Sequence, residues 1–397
     1  MLVLVPAVWM FAAHLRSVPG PRPSQAPDTV DRMTRAHNFC AGPCTLPVSV
    51  LTELGDEMVE YGGSGMSVIE MSHRSAEYEA IHYDALARLR RLWQVPEEFD
   101  ILLLQGGATL LFAMIPMNLV GPGGKAAHLL GGSWGRKSFA DAAKVAAAYP
   151  AWTEEGSAFT RMPAPTELRI EPGTTYLHVT SNETIEGIRM TGFDGFTAPD
   201  GALPLVADMS SDYLSRPIDW NLFDLVYGGA QKNLGPAGVT VVFVRKALVA
   251  SSPEHLPSYL RFDNHASSDS LFNTPPVFAI WAMAKVLAWM EAQGGVPAME
   301  KQAAERSGMV YDLIDGSNGF YTNPVEPGFR SHTNVVFRLG SPDLEKEFLV
   351  LAEEERLLNL KGHRSVGGMR ASIYNGMPTS SVEALVSFMA RFASSRA

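Results

Sequence analysis

One lysine set between two apolar runs constrains this chain most: residues 224–245 read DLVYGGAQKNLGPAGVTVVFVR. Residues 225–227 predict a buried strand, Gly228 and Gly229 are expected to break it, and the β-branched run 239–244 predicts the next strand. Lys232 then projects from a loop at a strand end, the edge at which open α/β sheets bind ligands. An arbitrary loop lysine is solvated. Here Gln231 and Asn233 add amide groups on either side, and Gly235-Pro236-Ala237-Gly238 fixes the backbone as a turn. Upstream, residues 203–209 form an apolar strand containing Asp208, followed by Ser210 and Ser211. A carboxylate at a buried strand end needs a cation or donors. A helix N-cap role for Asp208 or Ser210 is the competing reading.

Other stretches carry weaker signals of the same kind. Residues 101–104 predict a strand running into Gln105-Gly106-Gly107-Ala108-Thr109, with a helix from about Leu110. Free N–H groups and the positive end of the helix dipole converge at such a turn, which suits a phosphate. The third glycine of a dinucleotide fingerprint is missing. GGSWGRKS from Gly131 invites a P-loop reading, but Arg136 stands where a glycine must precede Lys137. Trp134, flanked by glycines and expected in a loop, suits stacking on a flat ring, with burial in the core as the alternative. Residues 176–179 predict a strand with SNETIEG at its end, where Thr184 is either a cap or a ligand contact. Glu183 and Glu186 read as solvated or structural.

Residues 48–61 have helical spacing, and Ser72-His73-Arg74 forms a loop before an amphipathic helix that follows Ser75. Asn273-Thr274-Pro275-Pro276 opens another helix. From about Gly294 the pattern changes to helix, strand (residues 333–339) and helix, as in a second α/β domain. There His363, Arg364 and Arg370 surround Gly367-Gly368, as a surface patch or as a group converging on a doubly charged ligand.

With 46% hydrophobic and 19% charged residues, the 397-residue chain has material for a packed core. Its formal net charge of −10 argues against a nucleic-acid surface, so an anionic substrate would need a local cluster of arginines. Only Cys40 and Cys44 are present, too few for a structural zinc site, and no metal is expected. Residues 1–32 differ from the rest. LVLVPAVWMFAAHL is interrupted by Pro6 and shorter than the roughly 20 residues that span a bilayer, and a proline-rich linker follows. We expect an extension outside the fold, with Met33 as an alternative start, no membrane contact and a cytoplasmic location.

The segments VADMSSDYLSRPID and YGGAQKNLGPAGVTVVFVR resemble those of the phosphoserine aminotransferase family, within the class V aminotransferases. So do NFCAGPCTLP, SVIEMSHRS, LLLQGGATLLFAMIPMNL, SNETIEG, FNTPP and GHRSVGGMRASIYNGMP, in order from about residue 38 to about residue 378. The resemblance implies an α/β fold of type I for pyridoxal phosphate enzymes. A large domain with a mostly parallel mixed sheet flanked by helices (residues 46–293) would join a smaller α/β domain (residues 33–45 and 294–397). It implies pyridoxal phosphate attached to Lys232, with Asp208 on the ring nitrogen, Trp134 stacked on the ring, and Thr184, Gln231, Ala108 and Thr109 as further contacts. Asn273 and Thr274 would complete the site of the partner subunit in a homodimer. His73 and Arg74 would reach an anionic substrate across the dimer interface, His363 and Arg364 would take its phosphate, and Arg370 its α-carboxylate. The implied reaction moves an amino group between L-glutamate and 3-phosphohydroxypyruvate, giving O-phospho-L-serine and 2-oxoglutarate. Another transaminase of small amino acids, or a noncatalytic dimeric scaffold, are the alternatives. Two positions depart from the family: Thr109 where some relatives carry arginine, and Cys40 where serine is common.

Overall fold

The β-branched run near residue 240 is a strand, and it sits inside a seven-stranded sheet in a computed structural model that describes residues 35–154, 159–191 and 203–396. The expectations for residues 1–32 and for Met33 lie outside the described residues. The sheet is built from β1 (Phe99–Leu104), β2 (Lys125–Leu130), β3 (Ala148–Thr153), β4 (Thr174–Thr180), β5 (Leu205–Asp208), β6 (Leu225–Gly229) and β7 (Thr240–Arg245), in the order β1-β7-β6-β5-β4-β2-β3. Strand β7 runs antiparallel to β1 and β6, and every other pair is parallel. The expected mixed, mostly parallel sheet is therefore present.

Parallel neighbours need crossover connections, and helices cover both sheet faces, so the central strands read as continuous apolar runs. Val241, Val242, Phe243 and Val244 are fully buried. Phe243→Ala is expected to cost about 3–5 kcal/mol in denaturant unfolding. Helices α1 (Val48–Asp56) and α2 (Ala76–Trp93) precede the sheet, and α3 (Gly107–Leu119) and α4 (Ser133–Val145) lie in the β1–β2 and β2–β3 connections. Ser75 caps α2 by accepting from the Tyr78 N–H at 3.3 Å. Helix α1 stops at Asp56, short of the expected residue 61, and the chain then turns through Gly62, Gly63 and Gly65, all at positive φ. Helix α5 (Val277–Ala292) is apolar almost all round and packs against α2, as a core helix should.

Gly228 and Gly229 do not break the strand. They are its last two residues, and the reason is space: a Cβ on Gly228 would lie 2.8 Å from Ser210 Cα and 3.0 Å from Ser210 N. Glycine here lets a neighbouring backbone come close.

Helices α6 (Gly295–Asp315), α7 (Pro342–Glu354) and α8 (Thr379–Ser394) accompany a three-stranded antiparallel sheet of β8 (Tyr321–Thr322), β9 (Asn334–Leu339) and β10 (Met369–Ser372). Most of its apolar side chains form a cluster of their own, while Val296, Met299, Val325 and Val336 pack into that of the main sheet. Phe348 meets Phe388 at 5.0 Å and Phe337 at 5.7 Å, both edge-on. Phe39 belongs to this cluster too, because His37–Asn38 pair in parallel with Leu357–Leu358. No helix among the described residues is long and apolar enough to cross a membrane.

Candidate active site

Strand registers bring the chemistry-bearing loops to one rim. Leu104 pairs with Thr240 and Thr240 with Gly229; Tyr227 pairs with Asp208, and Asp208 with Thr180. The carboxyl ends of β1, β6, β5 and β4 thus face the same way, and β2, parallel to β4, ends there as well. Ligands of such sheets lie outside these ends.

Lys232 leaves this rim in a short helical turn, closed by the Leu234 N–H donating to Ala230 O at 3.0 Å. Its side chain is not solvated, being only 9% exposed. Nζ donates to Thr184 Oγ1 at 2.8 Å and lies 5.5 Å from the centroid of Trp134. Burial lowers the ammonium pKa to about 8; Asp208 opposes this and Arg370 adds to it. Asp208 is 5% exposed, and its Oδ1 accepts from Ser210 N at 2.9 Å and Ser210 Oγ at 2.6 Å. Burial raises its pKa, against the pull of Lys232 and of the Ser210 bonds. Both bonds use one oxygen, so Oδ2 is left for another donor. Ser210 can approach only because Gly228 has no side chain, which joins the strand glycine to the carboxylate.

The segment around Cys40 roofs the lysine. A Cβ on Gly42 would sit 3.4 Å from Lys232 Cγ and 3.5 Å from Gln231 Cγ, and Cys44 N donates to Gln231 O at 3.0 Å. Arg370 donates from Nη1 to Thr184 O at 3.3 Å, while its Nε is buried without a partner among the described residues. Thr184 therefore links the lysine to the arginine. His363 Nδ1 lies 2.7 Å from Ser365 Oγ. Burial lowers the His363 pKa, and the cations Lys137, Arg370 and Arg364 lower it further. That set contains one residue the sequence did not single out. Lys137 Nζ lies 4.0 Å from the Trp134 ring centroid, and the i, i+3 spacing on a helix was the available signal.

Trp134 occupies the first turn of α4 rather than a loop, with its indole Nε1 buried and unpaired among the described residues. Glu183 explains its position. Far from being solvated, Glu183 is fully buried and accepts from Trp134 N at 2.9 Å and Gly135 N at 2.8 Å. Glu186, 8% exposed, accepts from Ser133 N at 3.1 Å and Ser133 Oγ at 2.6 Å. Two carboxylates thus satisfy the free N–H groups that open α4. Burial raises the pKa of both, and in Glu183 the neighbouring Glu186 adds to the rise.

Ala108 and Thr109 lie in the first turn of α3, which starts earlier than expected, at Gly107. Its N-cap, Gly106, has φ 91°, a left-handed conformation that glycine adopts at no steric cost. Among the described residues, no hydrogen bond, ion pair or ring contact joins His73, Arg74, Asn273 or Thr274 to Lys232 within one chain. Arg74, Asn273 and Thr274 are exposed, His73 is half-buried, and Gln105 Nε2 donates to Thr274 O at 3.0 Å.

A family model described as aminotransferase class-V matches residues 36–385. The phosphoserine aminotransferase of Niallia circulans is 49% identical over 91% of this chain and 99% of its own length. Among solved structures, the phosphoserine aminotransferase of Bacillus circulans subsp. alkalophilus superposes with a TM-score of 0.88 at 48% identity, covering 91% of this chain and 99% of that one. The pyridoxal-phosphate-bound phosphoserine aminotransferase of Trichomonas vaginalis does so at 0.84 and 36%, covering 90% and 100%. The chain belongs to the class V aminotransferase family.

Proposed function

We propose that this chain transfers an amino group reversibly between L-glutamate and 3-phosphohydroxypyruvate, giving O-phospho-L-serine and 2-oxoglutarate, with pyridoxal phosphate as cofactor. The observation that carries this reading is a buried amine, Lys232, that shares Thr184 with Arg370 and the Trp134 ring with Lys137, while Lys137, Arg364 and Arg370 all act on His363. A substrate with a carboxylate at one end and a phosphate at the other needs both parts. The names of the relatives at 49% and 48% identity point the same way.

The donor set suits the cofactor. Lys232 would anchor it, Asp208 Oδ2 would meet its ring nitrogen, Trp134 would lie against its ring, Thr184 and Gln231 would line it, and the α3 turn at Ala108 and Thr109 would take its phosphate. Pyridoxal phosphate supplies an aldehyde for the substrate nitrogen and a ring that withdraws electrons from Cα. A free lysine, with a pKa of about 10.4, is almost wholly protonated near neutral pH. At about 8, Lys232 offers far more of the unprotonated amine needed both to anchor the group and to take the proton on the substrate Cα. Thr184 Oγ1 holds one Nζ hydrogen and so aims the lone pair. Asp208 keeps a negative charge facing any ring N–H. Arg370 is suited to the α-carboxylate, and His363, Arg364 and Lys137 to the distal phosphate.

A homodimer belongs to the same proposal. Exposed apolar side chains lie in the stretches leading to the exposed Arg74, Asn273 and Thr274: Val59 at 83%, Ile69 at 58%, Met66 at 44% and Phe272 at 42%. A second copy would cover these side chains and receive His73, Arg74, Asn273 and Thr274 at its own site. The cluster that Phe39 shares with most apolar residues beyond Val310 supports the division into residues 46–293 and residues 33–45 with 294–397, and a cytoplasmic location is the setting we propose. A coupled assay comparing 3-phosphohydroxypyruvate with hydroxypyruvate tests the function. We expect the phosphorylated acid to be preferred at least about a hundredfold in kcat/KM; equal rates would reject it.

A further inference from the structure

A cavity of about 420 Å³ lies behind the turn that carries His363 and Arg364, and none of the residues assigned above to cofactor or substrate lines it. Its floor is the opening turn of α4, through Ser133 and Arg136, together with Glu186. Its apolar walls include Phe159, Ile185, Val336 and Phe337, and Ser365–Gly367 close one side. Two of its groups are chemically unfinished among the described residues. Glu186 spends Oε1 on Ser133, while Oε2 is shielded from water and has no hydrogen-bond partner. Leaving such an atom unpaired is costly, and the side chain is 8% exposed. Arg136, on the same floor, is exposed; its guanidinium lies 4.4 Å from the Phe159 ring centroid and its charge acts on Glu186 without touching it, and among the described residues no carboxylate bonds it. Arg338 is already occupied, donating to Glu345 Oε1 at 2.7 Å and to Val366 O at 2.5 Å.

One carboxylate oxygen without a donor, one guanidinium without a hydrogen-bonded acceptor and an apolar wall beside them define a ligand with the opposite pattern. We propose that this cavity binds a free α-amino acid with an apolar side chain: its ammonium on Glu186, its carboxylate on Arg136, and its side chain against Phe159, Val336 and Phe337. The last torsion of a glutamate is broad, so the carboxylate can turn to share its oxygens between Ser133 and an ammonium in the cavity. The volume admits one such molecule with water around it. A lone anion would leave Glu186 unanswered, and a lone amine would leave Arg136 so. The site also touches the substrate loop from behind. Val366 and Gly367 donate their N–H groups to His363 O at 3.0 and 2.8 Å, so an occupant would press on the turn that aims His363.

L-methionine is the probe, titrated calorimetrically into the full-length holoenzyme. Saturable binding is expected, weakened about tenfold or more by Arg136→Met and by Glu186→Gln, since each removes one charge-assisted bond. 4-(Methylthio)butanoate, which lacks the amine, should bind more weakly and ignore Glu186→Gln. Arg136→Met changes an exposed residue and keeps the test valid should Glu186→Gln loosen α4. Crystals grown with L-selenomethionine locate the site through the anomalous signal of selenium, expected between Phe159 and Phe337. Three results would each overturn the proposal: no saturable binding, binding in both variants unchanged from the parent protein, or selenium found only beside Lys232. The probe and its location do not depend on which keto acid the enzyme accepts, so this inference and the proposed reaction can fail separately.

Discussion

The two halves of the candidate site are built differently. The half around Lys232 and Asp208 grows from the ends of buried parallel strands, and its polar groups are held by Thr184 and Ser210 inside the fold. The half around His363 and Arg364 stands on an exposed turn, with the half-buried His73 and the exposed Arg74 in another. Strand ends fix a side chain to within a bond rotation; surface turns do not. We read this as a division of labour: the buried half sets reactivity through shifted pKa values, and the exposed half sets which distal anion is accepted.

The first way to break that comparison is to remove the buried amine. Lys232→Ala should lower transamination by about four orders of magnitude or more and abolish the absorption band near about 410 nm expected of lysine-bound cofactor; an unchanged band in the variant would place the covalent link elsewhere. The shifted pKa gives a second test. Covalent capture of pyridoxal phosphate by the apoenzyme should speed up roughly fifty-fold between about pH 6 and pH 8, because only unprotonated Nζ reacts, and then level off. A rate still climbing steeply at about pH 10 would return Lys232 to an ordinary lysine.

The exposed half should respond more gently and more selectively. Lys137→Met is expected to raise KM for 3-phosphohydroxypyruvate about tenfold while leaving KM for L-glutamate nearly unchanged, which steady-state kinetics with each substrate varied will show. A matched rise in both would assign Lys137 to Trp134 alone. Cys40→Ser should have the smallest effect, with turnover within about an order of magnitude of the parent, since a hydroxyl replaces a weaker hydrogen-bonding thiol. Collapse of activity in that variant would make the thiol itself a requirement.

Much of the buried half was legible in the sequence. Apolar runs bounded by glycine announced β6 and β7, and the acid at the end of β5 stood one strand away from the lysine. What stayed open or was misread shares one cause. SNETIEG is a polar string, and its local chemistry leaves Glu183 and Glu186 open between a solvated and a structural role. Glu183 is buried because Trp134 N and Gly135 N, distant in sequence, open a helix against it. Gly228 looked like a strand breaker for the same reason: the backbone it accommodates, at Ser210, belongs to another strand end. Lys137 lay hidden in a string scanned for a phosphate loop, where its helical relation to Trp134 went unused.

The reversed direction of β7 bears on how far the reactive amine can travel. Because β6 ends and β7 begins at the same level, with Ala230 N bonded to Val239 O at 2.9 Å, the loop holding Lys232 is stitched shut at its base. It cannot open like a hatch. Whatever excursion the reaction cycle asks of this nitrogen must come from torsions within the lysine's own four methylenes, so the catalyst works on a leash one side chain long.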